Sequence, residues 1–456
     1  MKEKTQSCVI DKLGITYVDG EVVFVAGDRV ITRSSATDLA QKIELNTCHF
    51  RLDIDEEITP KQAYEGIKEL ICLSHEIGRI VMAQVISGLT RAAFNKAGHI
   101  PRTILVVVGR SGMLKSQYVP QITQLYNRND GVRADTRFNS SLAYIEECLA
   151  EHDECTVVID DLHTAAARSI KRTNEIAAEE IIRRISDDTG RGHKEGDSMV
   201  QNIFGGNAIL IGEYFVGEES TMPRVIIARM TKRINGTILD KYQRKRPLLV
   251  STFYYYFLKW YVENYEDIYT WIDWRLTKFR ESTANTSMHG RLSDAMFDLR
   301  MAYMILLEFC KDSEFASEKD VLDEYNDFNK QLCRLIQEQQ DQCRTNKESL
   351  RTVNYLNLIR KLYKNGEFRL ADEPAAFRKN EHDGLIYNEC LCLRGERLEK
   401  KLRGVCQDVK IKDVSGELVD KNALKLVNDK RTIKISTLCK SEGSPRFYAI
   451  WLHVLK

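Results

Sequence analysis

The stretch that decides the fold reads Ile104-Leu-Val-Val-Val-Gly-Arg-Ser-Gly-Met-Leu-Lys-Ser116. Its first five residues form a continuous apolar, β-branched run bounded by turn signals, which is typical of a strand buried on both faces of a parallel sheet. Three later runs have the same character: residues 156–159, 208–211 and 225–228. Two segments with helical potential lie between them: residues 141–151 and 174–186. Alternating strands and helices predict an α/β core with a parallel sheet, from about residue 61 to residue 248.

The residues after the first run supply the chemistry: Gly109, Arg110, Ser111, Gly112, Met113, Leu114, Lys115 and Ser116. They fit the phosphate-loop pattern G-x-x-x-x-G-K-[ST] except at the second glycine, where Leu114 stands. Glycines let backbone N–H groups surround phosphate oxygens, the lysine bridges the outer phosphates, and the serine hydroxyl ligates Mg²⁺ at a helix N-terminus. The loop therefore predicts a site for ATP and Mg²⁺, provided that Leu114 keeps a helical backbone. A chance turn is the alternative for the loop taken alone.

Two acidic residues end the second apolar run, about 45 residues after the loop. Asp160 and Asp161 match the Walker B arrangement, in which a buried strand delivers carboxylates to the phosphate site. We expect Asp160 to hold Mg²⁺ through water and Asp161 to polarise the attacking water. The alternative is that both acids end the strand and cap a helix that begins near His163.

The third and fourth runs add further candidates. Glu213 follows the third run at its carboxyl end, where parallel sheets bind ligands, so it is the alternative residue for orienting water. Arg224 precedes the fourth run and is a candidate arginine finger for a neighbouring subunit. Three other arginines compete with Arg224 for that role: Arg183, Arg184 and Arg191.

The flanking regions are of other kinds. Two β runs surround Asp19-Gly20, a pair that favours a two-residue hairpin turn. Thr59 and Pro60 predict the start of a helix that continues to about Ala97. The aromatic residues between Phe253 and Trp274 fit helix packing better than a stacking platform for bases, and this helical region extends to about residue 363.

The C-terminal part has mixed signals that predict a small winged-helix-like domain. They are a strand at 384–387, basic helices at 396–405 and 421–428, and a β wing at 432–435 and 446–448. The fold class predicted for the chain is α/β, with a P-loop NTPase core, a helical region and a winged-helix-like end. Four parts are expected: residues 1–58, 59–248, 249–365 and 366–456.

Composition limits the class of protein. The 456 residues include 67 basic and 66 acidic side chains, a net charge of +1, which excludes a uniformly basic histone-like protein and an acidic disordered tail. The twelve cysteines are scattered without zinc-site spacing, and no run of 18 apolar residues occurs. The first residues also lack the apolar segment of a signal peptide. We expect a cytoplasmic protein with free thiols and no membrane partner.

Local charge is more informative than the total. Residues 224–246 contain eight basic side chains against one acidic, and residues 391–456 contain fifteen against eight, so each segment has a net charge of +7. Such patches suit contacts with a phosphate backbone, although either one alone also fits a solvated face. Their occurrence beside a phosphate loop favours nucleic acid, expected to be DNA, as a partner.

A resemblance to a known family rests on five elements: the phosphate loop at 109–116, the run ending in Asp160 and Asp161, Glu180-Ile-Ile-Arg183, the run ending in Glu213, and Arg224. Together they resemble the ATPase core of bacterial mobile-element proteins, which is similar to phage and plasmid primase-helicase ATPases. The resemblance covers residues 60–235 best. It implies a RecA-like or AAA+-like motor that forms a homo-oligomeric ring. Leu114 and Asp161 depart from the common pattern.

Three hypotheses for function follow. The first is an ATP-dependent, helicase-like nucleic-acid motor of phage or mobile-element replication. The second, motivated by Leu114 and Asp161, is a nucleotide-gated regulatory or defence switch with slow or absent turnover. The third is a winged-helix DNA binder with a degenerate ATPase core.

Overall fold

The fold is described from a computed structural model. The structure describes residues 8–47, 49–127, 132–162, 168–187, 191–195, 198–202, 204–215, 217, 220–283, 288–352, 355–405, 409–438 and 443–455. Side chains are described for all of these except residues 168–172, 191–195, 198–202 and 344–352. The chain forms two compact units, Met1–Arg344 and Thr345–Lys456. The four-part division expected from the sequence stays a prediction.

The first unit begins with short strands: β1 (Cys8–Ile10), β2 (Gly14–Val18), β3 (Glu21–Ala26), β4 (Arg29–Thr32) and β5 (Ile43–Leu45). The hairpin predicted around Asp19-Gly20 is confirmed, because β2 and β3 pair antiparallel with Val18 opposite Glu21. Both turn residues have positive φ, 53° and 86°, as a primed turn requires. β4 extends this sheet, and β1 pairs in parallel with β5.

Three helices follow, where a continuous helix from Pro60 to about Ala97 was expected: α1 (Pro60–Cys72), α2 (Gly78–Leu89) and α3 (Arg91–Lys96). Thr59 and Gln62 form a capping box at the start of α1, as the sequence indicates. The prediction of one continuous helix was wrong. The chain folds back at Gly78, where a Cβ would stand 2.1 Å from the Ile71 carbonyl oxygen, so only glycine fits this approach.

The core is a five-stranded parallel sheet, with helices and a separate hairpin in the connections. The elements are β6 (Ile104–Val108), α4 (Lys115–Thr123), β7 (Thr136–Arg137), α5 (Leu142–Ala150), β8 (Thr156–Leu162), α6 (Arg168–Asp187), the hairpin β9 (Arg191–Glu195) and β10 (Ser198–Asn202), β11 (Asn207–Gly212) and β12 (Val225–Arg229). The sheet order is β12-β6-β11-β8-β7, and every neighbouring pair is parallel. All four predicted strands and the α/β class are confirmed.

Helices cover both faces of this sheet, which explains why its strands are apolar at every position. In β6, Leu105 and Val107 belong to one core cluster, together with α2 and the helices that follow the sheet. Ile104, Val106 and Val108 belong to the opposite cluster, with α5 and α6. Alternate strand residues point to opposite faces, so both sets are buried.

The helical region follows the sheet: α7 (Gly236–Asp240), a π turn at Lys241–Lys245, α8 (Leu249–Glu263), α9 (Tyr265–Thr283), α10 (Gly290–Asp312) and α11 (Glu318–Thr352). Most of its aromatic side chains are buried or half-buried, as predicted for helix packing, although Trp274 is 53% exposed. The Phe257 ring stacks on Tyr261, with centroids 6.2 Å apart, and meets Phe309 edge-on at 5.5 Å. Phe257 and Tyr261 have no exposed surface, so neither can stack on a base.

A buried ion pair ties α10 to the segment before β6 and gives a pH-dependent prediction. His99 Nε2 lies 2.6 Å from Asp298 Oδ1, and Thr103 donates to the other carboxylate oxygen at 2.8 Å. Burial alone would lower the pKa of His99, but attraction by Asp298, supported by Asp294 and opposed by Arg280, raises that pKa above its ordinary 6.5.

Because the folded-state pKa of His99 is raised, its protonated form stabilises the fold below about pH 6.5, and this contribution is lost as pH rises through the folded-state value. We therefore expect His99→Gln to lower the free energy of unfolding more at pH 6 than at pH 9. Denaturant titrations of both chains at the two pH values measure this difference. An equal loss at both values would contradict the charged pair.

The second unit contains α12 (Tyr355–Lys364), β13 (Leu370–Ala371), β14 (Gly384–Tyr387), β15 (Cys390–Arg394), α13 (Gly395–Arg403), α14 (Ile411–Asp420), β16 (Ile433–Lys434), β17 (Arg446–Trp451) and α15 (Leu452–Leu455). Its sheet has the order β13-β14-β15-β17-β16. Three helices and the antiparallel group β15, β17 and β16 follow one another as in a winged helix, with β13 and β14 added at one side. The core beside this sheet contains Leu391, Leu398 and Leu418.

The sequence predicted one helix of this unit at the wrong position. The second helix was expected at 421–428, but α14 ends at Asp420. Asn422, Asn428 and Asp429 have φ values of 51°, 52° and 57°, left-handed conformations that a helix does not contain and that Asn and Asp adopt more readily than most residues. Residues 421–429 therefore form turns.

Among the helices of the described residues, none is both long enough and apolar enough to span a bilayer.

Candidate nucleotide site

The phosphate loop begins where β6 reaches the carboxyl edge of the sheet. Gly109 N–H donates to the carbonyl of Gly212, the last residue of the neighbouring strand β11, at 3.2 Å. A Cβ on Gly109 would stand 2.6 Å from the Met230 carbonyl oxygen, just beyond the end of β12. The loop therefore leaves the sheet between two neighbouring strands, at a position that only glycine can occupy without displacing backbone.

Gly109→Ala is expected to lower the free energy of unfolding by about 2 kcal/mol, since the new methyl group meets a backbone atom that cannot move aside. The control is Gly236→Ala in α7, where the nearest atom to an added Cβ is Leu114 Cδ1 at 3.4 Å, an ordinary contact. That variant is expected to change the free energy by less than about 0.5 kcal/mol. Urea denaturation compares them, and equal effects would contradict the close approach.

Leu114 has a left-handed conformation, with φ 70° and ψ 21°, so the expectation of a helical backbone at this residue was wrong. The turn from the loop into α4 requires positive φ at the position where the phosphate-loop pattern has glycine. A non-glycine residue there costs about 1–2 kcal/mol. The Leu114 carbonyl accepts from Tyr118 N–H at 2.9 Å, and its side chain packs against the main core cluster. These contacts help to hold the conformation without the glycine.

α4 starts at Lys115 with no side-chain cap, so its first N–H groups face the loop and favour an anion. Lys115 is buried, with 7% of its surface exposed. Its Nζ donates to the carbonyls of Gly109 at 2.5 Å and Arg110 at 2.9 Å. Burial lowers the pKa of Lys115, while the nearby charges of Glu213 and Asp160 oppose the shift.

Asp160 and Asp161 lie within β8, which continues to Leu162. β8 and β11 are in register at Ile159–Leu210 and again at Leu162–Gly212, so the two aspartates oppose the single residue Ile211. This is a β-bulge, a feature that re-aims side chains and is enriched beside active sites. Asp161 has φ 76°, and its N–H donates to Asp160 Oδ1 at 2.7 Å. The alternative of a helix cap near His163 falls on residues 163–167, outside the described residues.

Glu213 comes directly after β11, the strand between β6 and β8 in the sheet. Its N–H donates to the Leu162 carbonyl at 2.9 Å, which fixes its backbone beside the bulge. Residues 111–116 of the phosphate loop, both aspartates and Glu213 line one cleft of about 250 Å³, whereas Gly109 and Arg110 are not part of its lining. The structure thus gathers at the carboxyl edge the residues expected there, from Ser111 to Ser116 together with Asp160, Asp161 and Glu213.

These residues fit Mg²⁺ and a nucleotide phosphate chain. Mg²⁺ prefers oxygen ligands and keeps several waters, so it needs only one or two protein groups. Ser116 in the first turn of α4 and the buried Asp160 supply a hydroxyl and a carboxylate in the same cleft. The uncapped N-terminus of α4 and the Lys115 ammonium supply the positive charge that the phosphates require.

Arg224 is not brought to this cleft. It precedes β12, and β12 runs parallel to β6, so Arg224 lies at the amino edge, one strand length or about 16 Å from the loop. Its guanidinium pairs with both oxygens of Asp187 at 3.1 Å. Three arginines compete with it. Arg183 donates to Ser220 at 3.1 Å, and Arg184 pairs with Glu146 of α5 and Glu180 of α6. The Arg191 side chain is outside the described residues. A role for Arg224 in a neighbouring subunit stays a prediction.

A segment after β12 was missed from the sequence. The N–H of Ile234 donates to the Met113 carbonyl at 3.4 Å, and Gly236 lies against the Leu114 side chain. Glu76 holds this segment by accepting from Thr231 N–H at 2.7 Å and from Lys232 N–H at 3.2 Å. Residues 230–236 therefore cover one side of the phosphate loop. The sequence marked this segment as part of the basic stretch 224–246 but not as part of the phosphate site.

The sheet order and the loop after β6 define a P-loop NTPase fold. Among solved structures, the chain is similar to SCCmec type IV Cch, described as an active helicase, with 13% identity over 98% of this chain and 81% of that chain and a TM-score of 0.57. Two structures of JCV helicase, one with a bound thiazolopyridine acetamide, match 54% of this chain and 74% of theirs at 11% and 13% identity, with TM-scores of 0.25 and 0.24. No family model and no curated protein matches the chain. At such identities the likeness to Cch shows the fold alone, a helicase-like ATPase fold.

Proposed function

We propose that the chain is an ATP-dependent, helicase-like nucleic-acid motor of phage or mobile-element replication. The observation that carries the proposal is the convergence of Lys115, Asp160 and Glu213 on one cleft at the start of α4. A cationic side chain for phosphates, a buried carboxylate for Mg²⁺ and a second carboxylate for water are the groups that phosphoryl transfer to water needs.

The site residues have distinct roles in this proposal. The N–H groups of the loop and the Lys115 ammonium bind the phosphates of ATP, and Ser116 and Asp160 hold Mg²⁺, which offsets charge on the transferring phosphoryl group. Glu213 orients the attacking water and accepts its proton. Asp161 is the alternative for that step, and Arg224 is proposed to act on the nucleotide of a neighbouring copy.

Nucleic acid is the proposed partner because exposed positive charge lies beside the cleft. Arg229, Lys232 and Arg233 are exposed immediately after β12, at the carboxyl edge that also holds the phosphate loop. Positive charge on such an edge attracts a phosphate backbone. The shared fold with Cch, described as an active helicase, supports a helicase-like motor, and we propose DNA as its nucleic acid and a homo-oligomeric ring as its working form.

Strand displacement from a forked DNA duplex tests this proposal. The full chain with Mg²⁺ and ATP is expected to separate forks that have either a 3′ or a 5′ tail, whichever polarity it uses. A non-hydrolysable ATP analogue and the Lys115→Ala variant serve as controls and are expected to give no separation. ATP hydrolysis without displacement of either fork would contradict the motor.

The second candidate is a nucleotide-gated regulatory or defence switch, which two observations favour. Leu114 and Asp161 both have left-handed backbones, and both line the cleft proposed to bind the phosphates and Mg²⁺. A site that stores such strain is suited to change conformation when ligand binds. Tight ATP binding, measured by calorimetry, together with hydrolysis that single-stranded DNA does not stimulate would favour the switch over the motor.

A further inference from the structure

The second unit has a cluster of cations on one edge of its sheet. Lys434 of β16 and Arg446 of β17 are directly opposite each other in the antiparallel ladder, and both are exposed. Lys430 and Arg431, also exposed, lie just before β16. We call these four residues the wing edge.

Among the described residues, the wing edge has neutral hydrogen-bond partners. Like charges directly opposite each other in a ladder repel, so the pairing of Lys434 with Arg446 is unfavourable by itself. Arg446 donates to Thr432 Oγ1 at 3.4 Å and Arg431 donates to Ser415 Oγ at 3.1 Å, both neutral hydroxyls. Within the described part of the chain, no carboxylate forms an ion pair with any of the four. An external anion would remove the repulsion.

The helix α14 has the opposite character. In a winged helix this second helix of the pair is the usual reader of the major groove. From Ile411 to Asp420 it contains one lysine against three acids, and Asp413 and Asp420 are exposed. The flanking Lys421 is held by Glu417 at 2.7 Å. This helix would bring negative charge to the phosphates, so the part of the domain that suits DNA is the wing edge.

A turn beside the wing edge adds apolar surface. Leu426 and Val427 are each 44% exposed, next to the left-handed Asn428 and Asp429, and Val427 bridges to Lys430. Exposed aliphatic side chains flanked by cations suit contact with the sugars and base edges of a minor groove. Phosphate contacts with an apolar tip bind DNA without requiring a particular sequence.

We propose that the second unit binds duplex DNA through the wing edge, by phosphate contacts that do not depend on sequence, and not through α14. This inference rests on the proposed function in one respect: it takes DNA as the nucleic acid on which the motor acts. It adds the surface, the duplex form and the mode of contact.

Fluorescence anisotropy with the full chain tests the inference. The double variant Lys434→Gln/Arg446→Gln is expected to bind duplexes of two unrelated sequences about tenfold more weakly than wild type. The slope of log affinity against log salt is expected to fall by about two, one for each lost phosphate contact. The control is Lys400→Gln/Lys412→Gln, which removes two exposed lysines from α13 and α14 and is expected to change affinity less than about twofold.

ATP hydrolysis without DNA separates the two proposals. The wing-edge variant is expected to hydrolyse ATP at the wild-type rate, because none of its changes touches the nucleotide cleft. Wild-type hydrolysis with unchanged duplex affinity in the variant would overturn the inference and leave the motor intact. If the wild type hydrolyses no ATP but the wing-edge variant still loses duplex binding, the motor would be overturned and the inference would stand.

The cations could instead protect β16, an edge strand, from pairing with another chain. In that case light scattering would show the double variant associating with copies of itself, and its affinity for duplex DNA would be unchanged. That result would also overturn the inference.

Discussion

Lys115→Ala is expected to lower the rate of ATP hydrolysis at least about 100-fold, the loss typical when one preorganised charge-stabilising group is removed from a transition state. Lys115 is buried at the start of α4 and donates to two loop carbonyls, so it is held where phosphates would bind. Phosphate oxygens compete for the ammonium better than neutral carbonyls do, because hydrogen bonds between charged groups are stronger. Steady-state phosphate release measures the rate.

The matched control is Lys61→Ala, which removes an exposed lysine from the first turn of α1. It is expected to leave hydrolysis unchanged. Circular dichroism of both variants checks that the fold is kept. A Lys115→Ala chain that is folded and hydrolyses ATP at the wild-type rate would show that this loop is not the phosphate site.

Glu213→Gln is expected to lower the turnover number at least about 100-fold and to leave the affinity for ATP nearly unchanged, as removal of a general base does. Two observations favour Glu213 over Asp161. It directly follows β11, the strand that pairs with β6, and its charge raises the pKa of Lys115 more strongly than that of Asp160 does.

The comparison variant is Asp161→Asn, expected to lower the turnover number less than about tenfold, because Asp161 has a left-handed backbone in the bulge and contributes mainly to its geometry. Rapid-quench kinetics with saturating Mg²⁺ and ATP separate hydrolysis from product release. A larger loss for Asp161→Asn than for Glu213→Gln would transfer the role of base to Asp161.

The sheet and the loop were predictable because local sequence determines them. Apolar runs such as Ile104–Val108 form buried strands, and the carboxyl ends of parallel strands meet at one edge, so Lys115, Asp160 and Glu213 could be expected together. The break between α1 and α2 could not be predicted. It depends on the close approach of Gly78 to Ile71 and on the Tyr118 hydroxyl of α4, far along the chain, which donates to the Leu70 carbonyl at 2.8 Å.

The details of the site depended on backbone geometry that periodicity does not encode. A helical backbone at Leu114 was the condition set for a working loop, yet Leu114 has a left-handed backbone at the turn into α4. The bulge at Asp160 and Asp161 appears only when the register of β8 against β11 is known. The position of α14 was missed because the prediction looked for a basic helix, and α14 contains one lysine against three acids, whereas the more basic segment after it was taken for the helix.

The rate of ATP hydrolysis by the full chain, measured with Mg²⁺ in the presence and absence of single-stranded DNA, tests the central claim most directly. A nucleic-acid motor is expected to hydrolyse ATP, to do so several-fold faster with DNA, and to lose both rates in Lys115→Ala. No hydrolysis, or hydrolysis that neither DNA nor the loss of Lys115 changes, would contradict the assignment of this cleft as the site of a DNA-dependent motor.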